Sequence, residues 1–313
     1  MAEEIILETN GLGKRYKKRW AVTDLNLSVR RGDVFGFLGP NGAGKSTTIR
    51  MILTLVKPTT GGVRVFGTDV TRRRGELARV GGLVERPDFY LYLSARRNLE
   101  IVAALRGRTD RRQIDEVLEI VGLLSRADDA VKTFSHGMKQ RLGIAQALLG
   151  FPDLVILDEP TSGLDPHGIK EVRELIRRLS VERSMTIFLS SHLLHEIEQT
   201  ATRMAIINNG STVVQGGVNE LLADGRPMVT LQASPLEEAR RVVAHFPGVT
   251  GLEVDGVALR FSADRGAIPA LARRLVEEHI AIDSIVPRRS LEEYFLAITE
   301  GASDVPRNAR GRR

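Results

Sequence analysis

The chain has 313 residues, no cysteine and a formal net charge of +6, with 42% hydrophobic and 27% charged residues. That length and balance suit one large globular domain plus a small one, and the missing cysteine excludes disulfides and thiolate metal sites. No apolar run approaches the roughly 20 residues of a membrane span, and the acidic start through Glu4 lacks a signal-peptide pattern. A partner would have to supply any membrane crossing. The basic residues are scattered, as at Arg30-Arg31, Arg72 to Arg74, Arg111-Arg112 and Arg177-Arg178, with acids between them. This reads as a solvated surface, and no nucleic-acid partner is expected. Only Arg307 to Arg313 forms a basic block, which reads as a disordered tail over 301–313.

In chain order, Ile5 to Leu7 and Leu25 to Val29 read as strands, the second with clean alternation. Val34 to Leu38 is a continuous apolar run that suits a buried strand. A glycine-rich loop follows at once. Ile49, Ile52, Leu53 and Val56 then recur at helical spacing over Thr47 to Val56, until Lys57-Pro-Thr-Thr-Gly-Gly62 breaks the pattern. Residues 86–150 read as an inserted helical subdomain. Asp110 with Gln113 resembles a capping box, and Ile114, Val117, Leu118, Val121 and Leu124 supply an apolar face. Leu154 to Leu157 and Thr186 to Leu189 read as buried parallel strands, so the alternation predicts a layered α/β domain over 4–222.

Composition shifts at Ala223-Asp-Gly-Arg-Pro227, a linker signal. Beyond it, a strand from Met228 precedes a helix with Ser234 as N-cap and a face of Leu236, Ala239, Val243 and Phe246. Asp255-Gly256 marks a hairpin between two strands. A helix with Ile268, Leu271, Leu275 and Val276, then a strand over Ile282 to Val286, complete a βαββαβ order. That order is a ferredoxin-like α+β unit over 227–300. Ser290 and Glu293 form a capping box for a last short helix.

The pattern Gly39-x-x-x-x-Gly44-Lys45-Ser46 is a Walker A phosphate loop in its proper strand–loop–helix setting. Glycines let backbone N–H groups turn inward as a nest for phosphate, and the helix beginning near Ser46 adds its positive end. Lys45 is placed to meet the β- and γ-phosphates of ATP, and the Ser46 hydroxyl to bind Mg²⁺. The apolar strand ending in Asp158-Glu159 reads as Walker B: Asp158 toward the metal, Glu159 as general base for the attacking water. Ser135 is a good N-cap for a helix with Met138, Leu142, Ala145 and Leu149 on one face, which offers its N-terminus to an anion.

Together these motifs resemble the ATP-binding subunits of ABC transporters, over residues 4 to 220. Phe134-Ser-His-Gly-Met-Lys-Gln-Arg141 is similar to the family's signature, Ser162-Gly-Leu-Asp-Pro166 to its D-loop, His192 to its switch histidine and Tyr16 to its adenine-stacking aromatic. The resemblance implies an ATPase with Gly39, Pro40, Asn41, Gly42, Ala43, Gly44, Lys45, Ser46 and Thr47 around the nucleotide. It implies a head-to-tail dimer in which Ser135 and Gly137 complete the partner's site. It further implies separate transmembrane permease subunits of the ABC-2 type and a peripheral place on the cytoplasmic face of the membrane.

Glu85, the Gly137-Met-Lys-Gln-Arg141 form of the signature and the added C-terminal unit resemble bacterial drug, bacitracin and lantibiotic exporters. Glu85 stands where the family usually has a glutamine that meets Mg²⁺, His136 where it has glycine and Met138 where it has glutamine. A carboxylate is still a hard oxygen ligand, and His136 adds a group able to carry charge. The alternatives are an ABC-type ATPase with a regulatory role without transport, opposed by the intact Lys45, Asp158, Glu159 and His192, and a chromosome-organising or DNA-repair ABC ATPase. The latter would need long coiled-coil insertions between the Walker motifs, and no sustained heptads lie there.

Overall fold

A computed structural model describes residues 4–85, 87–107, 110–224, 227–264 and 266–288. The chain divides into two compact units, Met1–Gly217 and Val218–Arg313. The predicted cap at Ser290 and Glu293 and the tail at 301–313 lie outside the described residues. Among the described residues, no helix is long and apolar enough to cross a membrane.

The first unit begins with a hairpin of β1 (Ile5–Tyr16) and β2 (Arg19–Arg30), longer than the two short runs expected. Its register slips between Thr9 and Leu12, around the positive φ of Gly11. The irregularity interrupts the alternation on which the strand signal depends. Next come β3 (Val34–Leu38) and α1 (Lys45–Ile52), which stops short of the predicted Val56 because Thr54 turns to φ 56°. Then follow β4 (Thr60–Val65), β5 (Thr68–Asp69) and β6 (Val80–Leu83).

The helical stretch holds α2 (Ala95–Leu105), α3 (Arg111–Ile120) and α4 (His136–Leu148). Ser94, Asp110 and Ser135 cap them by accepting from Arg97, Arg112 and Met138 N–H groups. Each cap satisfies one orphan donor of its first turn. Ile114, Val117 and Leu118 form the buried face of α3, whereas Leu124 lies past the helix end and is exposed. The unit closes with β7 (Leu154–Asp158), α5 (Pro166–Arg183), β8 (Thr186–Ser191), α6 (Leu194–Thr200), β9 (Arg203–Asn208) and β10 (Ser211–Gly217).

Two sheets result. One has the order β2-β1-β4-β5, with antiparallel neighbours. The other has the order β10-β9-β3-β8-β7-β6, parallel except for β10. Parallel strands covered on both faces must be apolar throughout, and β3, β7 and β8 are buried at every position. Phe35, Phe37 and Phe188 meet across this register, with Phe35 and Phe188 stacked at 5.6 Å. The pairings Leu38↔Ser191 and Asp158↔Ser190 bring the carboxyl ends of β3, β7 and β8 level. Strand order reverses at β3, and such a switch point opens a crevice beyond the strand ends.

The second unit runs α7 (Val218–Asp224), β11 (Met228–Ser234), α8 (Leu236–Ala244), β12 (Val249–Asp255), β13 (Ala258–Ala263), α9 (Ala267–Glu277) and β14 (Ala281–Arg288). Its sheet order is β12-β13-β11-β14, antiparallel throughout. Val229, Leu231, Val243, Leu259, Phe261, Leu271 and Leu275 form its core. Ser234 is not the predicted N-cap, because pairing with Ala281 takes it into β11 and Pro235 precedes α8. Asp255 pairs with Ala258, so the hairpin loop is Gly256-Val257, one residue later than read. Gly256 supplies the positive φ that its first loop position requires. Val276 points off the Leu271–Leu275 face and is exposed.

At the amino end of β7, Asp153 accepts from Arg79 Nε at 2.8 Å and from Arg31 Nη1 at 3.5 Å. The Arg79 bond, then the charges of Arg79 and Arg31, hold its carboxyl below the ordinary carboxylate range against a smaller opposing effect of burial. A depressed folded pKa adds stability above the unfolded value and loses it as pH falls. The groups are half exposed, so Asp153→Asn is expected to cost only about 0.5 kcal/mol at pH 7. Thermal melts of the two proteins should converge as pH drops below about 4.

Candidate functional site

Residues 39–44 link β3 to α1 and must pass close to other backbone. A Cβ on Gly39 would lie 2.4 Å from the Ile207 carbonyl oxygen, and one on Gly44 would lie 2.6 Å from that of Ala21. Gly44 also has φ 109°, a conformation closed to L side chains. Pro40, Asn41 and Gly42 are exposed, Ala43 is buried, and Ser46 and Thr47 are half-buried. The first turn of α1 contains no acid, so its positive end stays available to an anion.

Lys45 is only 5% exposed, too buried for an ammonium without partners. Its Nζ donates to the carbonyls of Gly39 at 2.8 Å and Pro40 at 3.3 Å, and pairs with Glu159 Oε1 at 3.2 Å. The other oxygen of Glu159 lies 3.2 Å from His192 Nδ1. One carboxylate thus joins the phosphate loop to the loop after β8. Glu159 itself sits at φ 47°, a sparsely populated region for a side-chain-bearing residue that concentrates at functional sites.

Ser190 was not singled out in the sequence, although it orders this corner. Its hydroxyl donates to Asp158 Oδ1 at 2.6 Å and accepts the Glu159 N–H at 2.9 Å. Asp158 is buried, and this bond aims its carboxylate from the end of β7. A serine ending an apolar strand beside another ending in two acids was the available signal. Thr161, Glu196 and Arg50 were missed as well.

Arg50, on α1, forms an ion pair with Glu85, which is exposed and has φ 65°. The extra negative charge expected from Glu85 is therefore offset locally. Tyr16 closes β1 opposite Arg19 and is exposed, as is Trp20. Neither aromatic belongs to the core. Lys14 lies 5.2 Å from the Tyr16 ring and Arg15 lies 5.6 Å from that of Trp20, so both rings carry cations on their faces. Trp20 lies on β2, which continues into Ala21, whose carbonyl abuts Gly44.

Among the described residues, Ser135 and Gly137 make no hydrogen bond to the phosphate loop of their own chain. They open α4, where a Cβ on Gly137 would lie 4.0 Å from the Gly168 Cα at the start of α5. Ser135 and His136 are exposed there. The structure thus holds a phosphate loop whose Lys45 pairs with Glu159, itself in contact with His192, and a helix whose capping residue Ser135 is exposed.

A family model described as ABC transporter matches residues 22–162. The bacitracin transport ATP-binding protein BcrA of Bacillus licheniformis is 44% identical over 302 residues, covering 95% of this chain and 98% of that protein. The chain belongs to the ATP-binding proteins of ABC transporters. It is an ATPase subunit of such a transporter. The daunorubicin/doxorubicin resistance ATP-binding protein DrrA of Streptomyces peucetius is 38% identical, covering 95% of this chain and 93% of that protein. Among solved structures, cbiO1 of Clostridium perfringens, part of an ABC transporter complex, is 27% identical. It superposes with a TM-score of 0.64 over 78% of this chain and 97% of its own. A dimeric ATP-binding cassette bound to ADP and Pi shares the fold at 23% identity and a TM-score of 0.61, over 68% of this chain and 99% of its own.

Within this ABC protein, the Ser190 hydroxyl bridges the Asp158 carboxylate and the Glu159 N–H. Ser190→Ala is expected to lower stability by about 1–3 kcal/mol by leaving buried groups unpaired. The urea midpoint should fall at unchanged slope, and an unchanged midpoint would show that the bond contributes nothing.

Proposed function

We propose that the chain is the motor of an exporter: two copies, or a copy and a paired subunit, close head to tail on two Mg²⁺·ATP and drive separate membrane subunits. The observation that carries this is the contiguous Lys45–Glu159–His192 set beside a phosphate loop, together with an exposed Ser135 at the start of α4. In this reading one chain holds half a site and offers the complementary half to another copy. The cassette that shares the fold is a dimer with ADP and Pi, and the similar chains are named for bacitracin transport and drug resistance.

In this reading the inward N–H groups of the loop bind the phosphates, and Lys45 exchanges its carbonyl partners for them. Tyr16 stacks on adenine. Glu159 takes the proton of the attacking water, and His192 holds the far side of Glu159 and the γ-phosphate. Ser46 and Asp158, joined by Glu85, present hard oxygens that suit Mg²⁺, which is held by few carboxylates plus phosphates. The metal would offset charge on the phosphate oxygens. Closure and reopening then act on the membrane partner as a gated two-state change.

The partner surface is read at the segment after Glu85. Tyr90, Leu91 and Tyr92 are exposed, Tyr92 at 83%, a density of large apolar groups that marks interaction sites. Permeases of the ABC-2 type docking there would place the chain at the cytoplasmic face of the membrane. Glu85→Ala should reduce partner-stimulated ATPase and transport more than basal turnover, measured on the complex with its co-purified membrane subunit.

Glu159→Gln tests the hydrolytic reading. ATP affinity should stay within a few-fold while turnover falls by roughly a hundredfold or more, the scale of losing a general base. The variant should also accumulate as an ATP-dependent dimer in size-exclusion chromatography. Rapid turnover by it would remove Glu159 from the role of base.

A further inference from the structure

Glu196 is a carboxylate that the site described so far does not use, yet it is 8% exposed and lies between two of the site's loops. Its Oε2 accepts from Thr161 Oγ1 at 2.7 Å and from Ser191 Oγ at 2.8 Å. Its Oε1 is buried with no hydrogen-bond partner. Thr161 follows Glu159 by two residues and begins the turn of the D-loop, where Leu164 N–H donates to the Thr161 carbonyl at 3.2 Å. Ser191 directly precedes His192, and its hydroxyl also accepts the Leu193 N–H at 2.9 Å. One oxygen therefore holds the chain on both sides of the Glu159–His192 contact.

The helix bearing Glu196 does not depend on these bonds for its place. Ile197 is fully buried on Gly36 of β3, where an added Cβ would lie 2.5 Å from its methyl group. A buried carboxylate with an unpaired oxygen costs stability that a neutral or apolar residue would not. The anchored helix thus offers a rigid acceptor to two loops that must keep a precise relation.

Building on the hydrolytic reading above, we propose that Glu196 is a positioning residue for ATP hydrolysis: it ties the D-loop turn to the His192 loop so that His192 and Glu159 stay in contact. It acts through His192 and touches neither nucleotide nor water. Because the D-loop leads into α5, where Asp165 caps Gly168 at 2.9 Å beside Gly137, the same bond links the hydrolytic corner to the signature helix.

The test uses the purified full chain with Mg²⁺·ATP. Glu196→Ala should lower kcat about tenfold or more while KM for ATP changes less than about threefold, because binding contacts are untouched. Glu196→Gln, whose amide oxygen accepts the same two bonds, should recover most of kcat. In a His192→Ala background, Glu196→Ala should add less than about twofold, since residues acting as one unit are not additive. Wild-type kcat in Glu196→Ala, full additivity with His192→Ala, or no rescue by Gln would each overturn the proposal alone. Wild-type kcat in His192→Ala would overturn the hydrolytic reading and the proposal with it. If Glu196→Ala fails to fold, Thr161→Ala removes one of the two donors: an intermediate kcat restored by Thr161→Ser supports the proposal, and an unchanged kcat overturns it.

Discussion

A buried ammonium must be given partners, and the architecture of the first unit follows from supplying them to Lys45. The side chain is sunk at the amino end of α1, where its own helix offers only positive partial charge. Its partners come from elsewhere: two carbonyls of the loop and one carboxylate from the end of β7. Those groups converge because β3, β7 and β8 are parallel and in level register. Parallel pairing demands strands buried on both faces, and the phenylalanines of β3 and β8 fill that interior. The site is thus a consequence of sheet register, with short side chains such as Ser190 correcting its aim.

The same chain keeps its second chemical feature apart. The signature helix is packed at its carboxyl end, where Leu142, Ile144, Ala145 and Leu148 are buried, and open at its amino end. Arg141 reinforces it from below, donating to the Val121 carbonyl at 3.0 Å and lying 3.6 Å from Glu171 of α5. The start of α5 lies against the start of α4 and is capped by Asp165 of the D-loop. A displacement of α4 would therefore bear on the turn that leads back to Thr161 and Glu159. Contiguous packing of this kind is what coupling between two nucleotides would need in the proposed dimer.

Local chemistry made the phosphate loop, the two acids after β7 and the Ser135 cap legible, because each is written in adjacent residues. Strands β3, β7 and β8 were legible as unbroken apolar runs. The hairpin β1–β2 was cut short in the reading because Gly11 and Gly13 disturb its alternation, and β9 and β10 went unread. Ser190 and Glu196 could not be found by spacing, since their partners lie 32 and 35 residues away and meet only through the sheet. In the second unit, periodicity located the helices well, although Val276, counted among the markers of α9, is exposed, as two neighbouring residues on a helix point about 100° apart. The misplaced cap at Ser234 has the same origin: a local signal lost to pairing in a sheet.

The Lys45 arrangement also bears on how Glu159 is held. One oxygen of Glu159 faces Lys45 and the other faces His192. Each oxygen keeps a further lone pair, so these contacts orient the carboxylate and leave it able to accept a proton. Phosphate offers Lys45 a stronger partner than two neutral carbonyls, since bonds between charged groups are the stronger ones. On the proposed reading, a Lys45 that turned to the nucleotide would leave Glu159 oriented by His192 alone. Glu85 is likewise paired, with Arg50. Lys45 would then link the surroundings of Glu159 to the binding of ATP.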